Sequence, residues 1–133
     1  MVSLIDAPDR VVLFRPYYFN HLMAVQMTGG HESVIIGETD AGLVPDMDWL
    51  SRAFENQNQN QHQNKPSEGQ GQKIKLVVIV NPGNPSGTLV PRKVLERAAQ
   101  LCKQNDAWLV CLCWGIAIAR VVGVDTITIT TVR

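Results

Sequence analysis

The clearest pattern along the chain is an apolar run, Ile74, Lys75, Leu76, Val77, Val78, Ile79 and Val80, β-branched and nearly free of polar residues. Such a run fits a parallel strand covered by helices on both faces. A polar turn follows at residues 81–88, and then a periodic segment. Pro91 fits the first helical position, and Val94, Leu95, Ala98, Ala99, Leu101 and Cys102 recur at helical spacing. Arg92, Lys93, Arg97 and Lys103 take the other face, so one stripe is expected to pack on a sheet. After Asn105-Asp106, residues 107–110 (Ala-Trp-Leu-Val) read as a second strand. Residues 74–110 are therefore predicted to form a βαβ unit with a right-handed crossover. Open sheets of this kind take ligands at the carboxyl ends of their strands.

Upstream, residues 10–14 read as a strand, residues 16–21 as an aromatic turn, and Gly29-Gly30 as a helix end before another strand. Residues 46–54 have an Asp-rich start suited to a helix dipole and an apolar side for the sheet. An Asn/Gln tract at 56–64 runs into Lys-Pro-Ser-Glu-Gly-Gln-Gly-Gln at 65–72. This low-complexity stretch cannot bury a core, so residues 56–72 are expected to be a disordered surface insertion. A short tract in a loop costs little entropy and is preferred over an association segment.

At residues 81–88 the order Asn-Pro-Gly-Asn-Pro-Ser-Gly-Thr, followed by a Leu-Glu-Arg-Ala helix and Trp-Leu-Val, resembles the large domain of class I/II aminotransferases. These are pyridoxal-phosphate enzymes of fold type I. The resemblance covers residues 10–110, interrupted once, and two Asn-Pro pairs three residues apart before Ser-Gly make it specific. It implies an α/β fold: a three-layer αβα portion of the large domain around a mostly parallel sheet. It also implies pyridoxal 5′-phosphate as cofactor, an amino acid and a 2-oxo acid as substrates, and a family-like homodimer. Asn84, the second asparagine, matches the residue whose amide donates to the cofactor's phenolic oxygen. Tyr18 matches the aromatic that stacks on the pyridine ring, with Tyr17, one residue away, as the alternative. The structural alternatives are a turn-stabilising role for Asn84 and a half-buried anchor for Tyr18.

The resemblance also marks what is missing. Transamination needs a lysine that anchors the cofactor and moves the α-proton, an acid on the pyridine nitrogen, and an arginine for the substrate carboxylate. None of Lys65, Lys73, Lys75, Lys93 and Lys103 looks like the catalytic lysine, and neither the acid nor the arginine can be placed. Only nine residues precede Arg10, where the phosphate-cradling loop is expected. The chain is thus expected to be a portion without activity of its own and without catalytic residues. The family pattern stops at Val110, and residues 111–133 read as a divergent tail, with a translated intron, a frameshift or a shortened splice form as its origin. Within it, residues 125–132 alternate with period two and would form a strand if partnered.

Composition adds bounds. Twelve basic residues balance twelve acidic ones, which gives no electrostatic pull toward nucleic acid or a membrane surface. The apolar run at 107–119 is too short to span a bilayer. No secretory leader is legible at Met1, and a reducing cytoplasm is expected. Cys111 and Cys113 would share a strand face, but two thiolates alone do not close a metal site. His21 and His31 are expected on a helix surface and in a turn, so no metal is expected. Three other functions remain: a non-catalytic module that pairs with a full-length homologue, a lyase resembling aminocyclopropane-carboxylate synthase, and an unrelated anion-binding α/β domain.

Overall fold

The computed structural model describes residues 4–5, 9–29, 33–63 and 73–113. Strand β1 (Arg10–Phe14) leads through helix α1 (Phe19–Gly29) to β2 (Val34–Gly37), and α2 (Met47–Gln63) leads to β3 (Ile74–Asn81). Helix α3 (Arg92–Gln104) then precedes β4 (Trp108–Cys113). The four strands pair in the order β2-β1-β3-β4, all parallel.

Side-chain alternation divides the sheet into two apolar faces. Val12, Phe14, Val77, Ile79, Leu109 and Cys111 share a buried cluster with Leu50 and Phe54 of α2 and with Leu95, Ala98, Leu101 and Cys102 of α3. Val11, Leu13, Leu76, Val78 and Val110 pack on the opposite side with Val25 and Leu22 of α1. The architecture is a three-layer αβα sandwich, the fold class that the apolar pattern implies. A register shift sharpens it: Arg10 pairs with Ile74 but Val11 with Leu76, so Lys75 is an extra, bulged residue. That is why Ile74 faces the α2/α3 layer although Leu76 faces α1.

The boundaries differ from expectation in three places. Pro91 caps α3 rather than opening it, its carbonyl accepting the amide hydrogens of Val94 and Leu95. Strand β4 continues past Val110, pairing Cys111 with Ile79 and Cys113 with Asn81. Helix α2 runs through the first part of the Asn/Gln tract to Gln63 instead of ending near Phe54. No Gly or Pro interrupts residues 47–63, and glutamine is a good helix former. The tract is also tied down: the Ile74 amide donates to Gln57 Oε1 at 2.6 Å, and Asn58 donates to Asn105 across to α3. The remainder of the insertion (64–72), His31 and the alternating tail at 114–133 lie outside the described residues. Among the described residues, no helix is long and apolar enough to cross a membrane.

Phe54 is about 1% exposed at the centre of the α2/α3 layer. Phe54→Ala is expected to cost about 3–5 kcal/mol in urea unfolding, whereas Gln57→Ala, which orphans one part-buried amide, is expected to cost about 1 kcal/mol.

Candidate functional site

The sheet order places the site. The connection from β1 moves outward to β2, whereas the connections from β2 and β3 move the other way, and α1 lies on one face with α2 and α3 on the other. The chain segments leaving the adjacent strands β1 and β3 therefore part to opposite faces. Between them, beyond the carboxyl ends, an open α/β sheet leaves a crevice. A recess of about 40 Å³ occupies this position, walled by Arg15, Pro16 and Tyr17 after β1 and by Gly83, Asn84, Ser86 and Thr88 after β3.

The loop after β3 is built by its own sequence. The Gly83 amide donates to the Thr88 carbonyl at 2.8 Å, and the Gly87 amide donates back to the Gly83 carbonyl at 2.7 Å. Gly87 has φ +70°, which glycine adopts without a Cβ penalty, and at Gly83 a Cβ would collide with the Ser86 hydroxyl. Asn81 is about 3% exposed, and its Oδ1 accepts the Val90 amide hydrogen at 2.9 Å. One buried side chain thus joins the loop's entrance to its exit. The Asn81–Pro82 and Asn84–Pro85 bonds are both cis. Asn84 itself is exposed on the recess wall. The two asparagines divide the work: Asn81 holds the loop, and Asn84 presents a free-standing amide at its rim.

The two tyrosines of the aromatic turn also separate. Tyr17 packs against the α1-side core and reaches the recess wall. Tyr18, the next residue, is not among those that line the recess; it stands edge-to-face with Phe19 and His21 at centroid distances of 5.0 and 5.6 Å, its hydroxyl accepting a hydrogen from Asn20. His21 lines the recess, and burial pushes its imidazole below the ordinary 6.5, so it is uncharged at neutral pH.

A third wall comes from the turn between β2 and α2, where Thr39, Leu43 and Pro45 face the recess. Asp40 shapes this turn by accepting the Gly42 and Val44 amides, and Asp46 Oδ1 caps α2 by accepting the Asp48 and Trp49 amides. The Thr88 hydroxyl donates to the Gly42 carbonyl at 3.3 Å and links the turn to the Asn-Pro loop.

The described lysines lie elsewhere. Lys75 sits at the opposite, amino end of the sheet, paired with Asp106 at 2.8 Å, while Lys73, Lys93 and Lys103 are exposed. Burial pushes the Cys102 thiol up to about 12, so it is a protonated core residue. No group of three or more His, Cys, Asp or Glu among the described residues could hold a metal ion.

An all-parallel sheet with a donor-bearing loop at its switch point is the arrangement at which open α/β sheets take ligands. The family model for aminotransferase class I and II matches residues 1–111, and the chain belongs to that family. It is 45% identical over 111 residues to the aromatic aminotransferase ISS1 of Arabidopsis thaliana, covering 83% of this chain and 25% of that protein. The aspartate/prephenate aminotransferase of Thermus thermophilus is 27% identical over 108 residues, covering 81% of this chain and 24% of the relative. Among solved structures, the Thermus thermophilus aspartate aminotransferase with maleate superposes with a TM-score of 0.65 at 29% identity, over 84% of this chain and 25% of that one. The PLP-bound C–S lyase from Staphylococcus hominis shares the fold, with a TM-score of 0.63 at 24% identity over 83% of this chain and 25% of the other. The chain spans about a quarter of the length of the curated relatives it matches.

The division between the two asparagines is testable. Asn81→Ala orphans the Val90 amide and is expected to cost about 1–3 kcal/mol in urea unfolding, while exposed Asn84→Ala is expected to stay within about 0.5 kcal/mol of the parent. Equal losses at both positions would contradict it.

Proposed function

We propose that this chain carries part of the cofactor site of a pyridoxal-phosphate-dependent aminotransferase, which moves an amino group between an amino acid and a 2-oxo acid. The observation that carries this reading is the position of Asn84, an exposed amide on the rim of the switch-point crevice, with Pro16, Tyr17 and His21 of the aromatic turn on the facing wall. The residues present suit a flat, anionic, aromatic ligand. The wall offers amide, hydroxyl and imidazole groups beside apolar Leu43 and Pro45, and none of the described residues lining it is a carboxylate. A recess of about 40 Å³ encloses only a fraction of such a ligand, since pockets that engulf one run to roughly 300 Å³ or more. The chain therefore supplies one side of the site.

When bound, the cofactor supplies the electron sink for chemistry at the substrate's α-carbon. Asn84 would donate its amide hydrogen to the phenolic oxygen and so orient the ring. Tyr18, at the turn beside the recess, would cover one ring face and exclude water from it. Tyr17, which packs on the core and reaches the recess wall, is the alternative for that role. No described lysine stands at the carboxyl end of the sheet to anchor the cofactor or move a proton, so the chain by itself binds without turning over substrate.

A second reading, a non-catalytic module that pairs with a full-length homologue, is favoured by the outer face of α1. Phe19, Met23 and Met27 form a stripe there with exposures of 59, 51 and 86%.

The test is an absorbance titration of the purified 133-residue chain with pyridoxal 5′-phosphate, with folding checked by circular dichroism. Saturable binding is expected, weakened about tenfold, or about 1.4 kcal/mol, by Asn84→Ala and by Tyr18→Ala. Unchanged affinity in both folded variants would contradict the assignment. Turnover of an amino acid with a 2-oxo acid by the isolated chain would contradict its inactivity.

A further inference from the structure

We propose that Arg15 is the anion-binding residue of the crevice, its guanidinium taking the carboxylate or phosphate of the ligand held between the aromatic turn and the Asn-Pro loop. The ligand's identity rests on the cofactor reading above; the anion site rests on the charge layout of the wall.

Arg15 follows the last residue of β1 and lines the recess. Its amide donates to the Gly37 carbonyl at 3.2 Å, which fixes its Cα at the switch point while its side chain stays exposed. Of the described residues lining the recess, none is acidic and Arg15 alone carries a formal charge. The chain as a whole is neutral, so the positive character is local. Arg15 takes no part in the ion pairs Lys75–Asp106 and Arg92–Glu96. Asn84, Ser86 and Thr39 stand on the other walls of the recess with neutral donors. A guanidinium fork offers two parallel N–H groups, which match a carboxylate or phosphate edge.

The experiment compares the chain with Arg15→Gln, an exposed, uncharged replacement, with folding confirmed by circular dichroism. Affinities are measured for pyridoxal 5′-phosphate, for pyridoxal, and for phenylpyruvate added to the phosphate-loaded chain. If Arg15 takes the phosphate, Arg15→Gln weakens pyridoxal 5′-phosphate about five- to tenfold and leaves pyridoxal unchanged. If it takes a substrate carboxylate, both cofactor forms bind as before and phenylpyruvate weakens by a similar factor. In either case the difference shrinks as salt rises. Unchanged affinities in all three titrations would overturn the proposal. Inorganic phosphate provides a separate readout, a shift of the Arg15 Nε–Hε resonance in the cofactor-free chain. If that shift occurs while Asn84→Ala and Tyr18→Ala bind pyridoxal 5′-phosphate normally, the anion site stands and the cofactor reading fails.

Discussion

Everything in this chain that bears on function depends on a reversal of direction between β1 and β3. Crossovers between parallel strands are right-handed, so a step from β1 outward to β2 places its helix on one face, and a return over β1 to β3 places the next on the other. The two buried clusters record this, with α1 alone on one side and α2 and α3 together on the other. The backbone leaving β1 and the backbone leaving β3 must then diverge. The crevice is a consequence of chain handedness, and the residues that decorate it are those that immediately follow the two strands.

That constraint separates the residues that maintain the loop from those exposed at the crevice. Asn81, at the last position of β3, turns inward and closes the loop onto Val90. Gly87 supplies the left-handed backbone that brings the loop back on itself. With the loop closed internally, Asn84 is left exposed at its rim, free of a structural duty that would compete with binding. On the facing side, Tyr17 packs on the core and reaches the recess wall, while Tyr18 is held by neighbouring rings and by Asn20, which donates to its hydroxyl. Among the described residues that line it, one arginine and no carboxylate give the crevice its sign.

Much of the fold was legible in the sequence. Apolar runs of β-branched residues gave β1 and β3, and an amphipathic stripe with charged residues opposite gave α3, because burial on a sheet imposes those periods directly. The extension of α2 to Gln63 was not legible: an Asn/Gln tract has no apolar period, and the bonds that fix it, from Ile74 and to Asn105, join residues distant in sequence. The bulge at Lys75 was hidden because the run around it is uniformly apolar. In the site, Asn84 could be singled out from its motif, whereas the holding role of Asn81 could not, since both stand in the same Asn-Pro setting. Burial of one and exposure of the other appear only with the tertiary fold. Arg15 escaped notice because nothing near it in sequence shows that the wall across the crevice lacks acids.

The most direct test of the switch-point site is an amide chemical-shift map of the chain titrated with pyridoxal 5′-phosphate. The largest perturbations are expected at residues 15–21, 39–45 and 83–88, the segments lining the crevice at the carboxyl ends of the strands. Perturbations centred on Lys75 and Asp106 at the amino end, or on the outer face of α1, with the crevice segments unmoved, would contradict it.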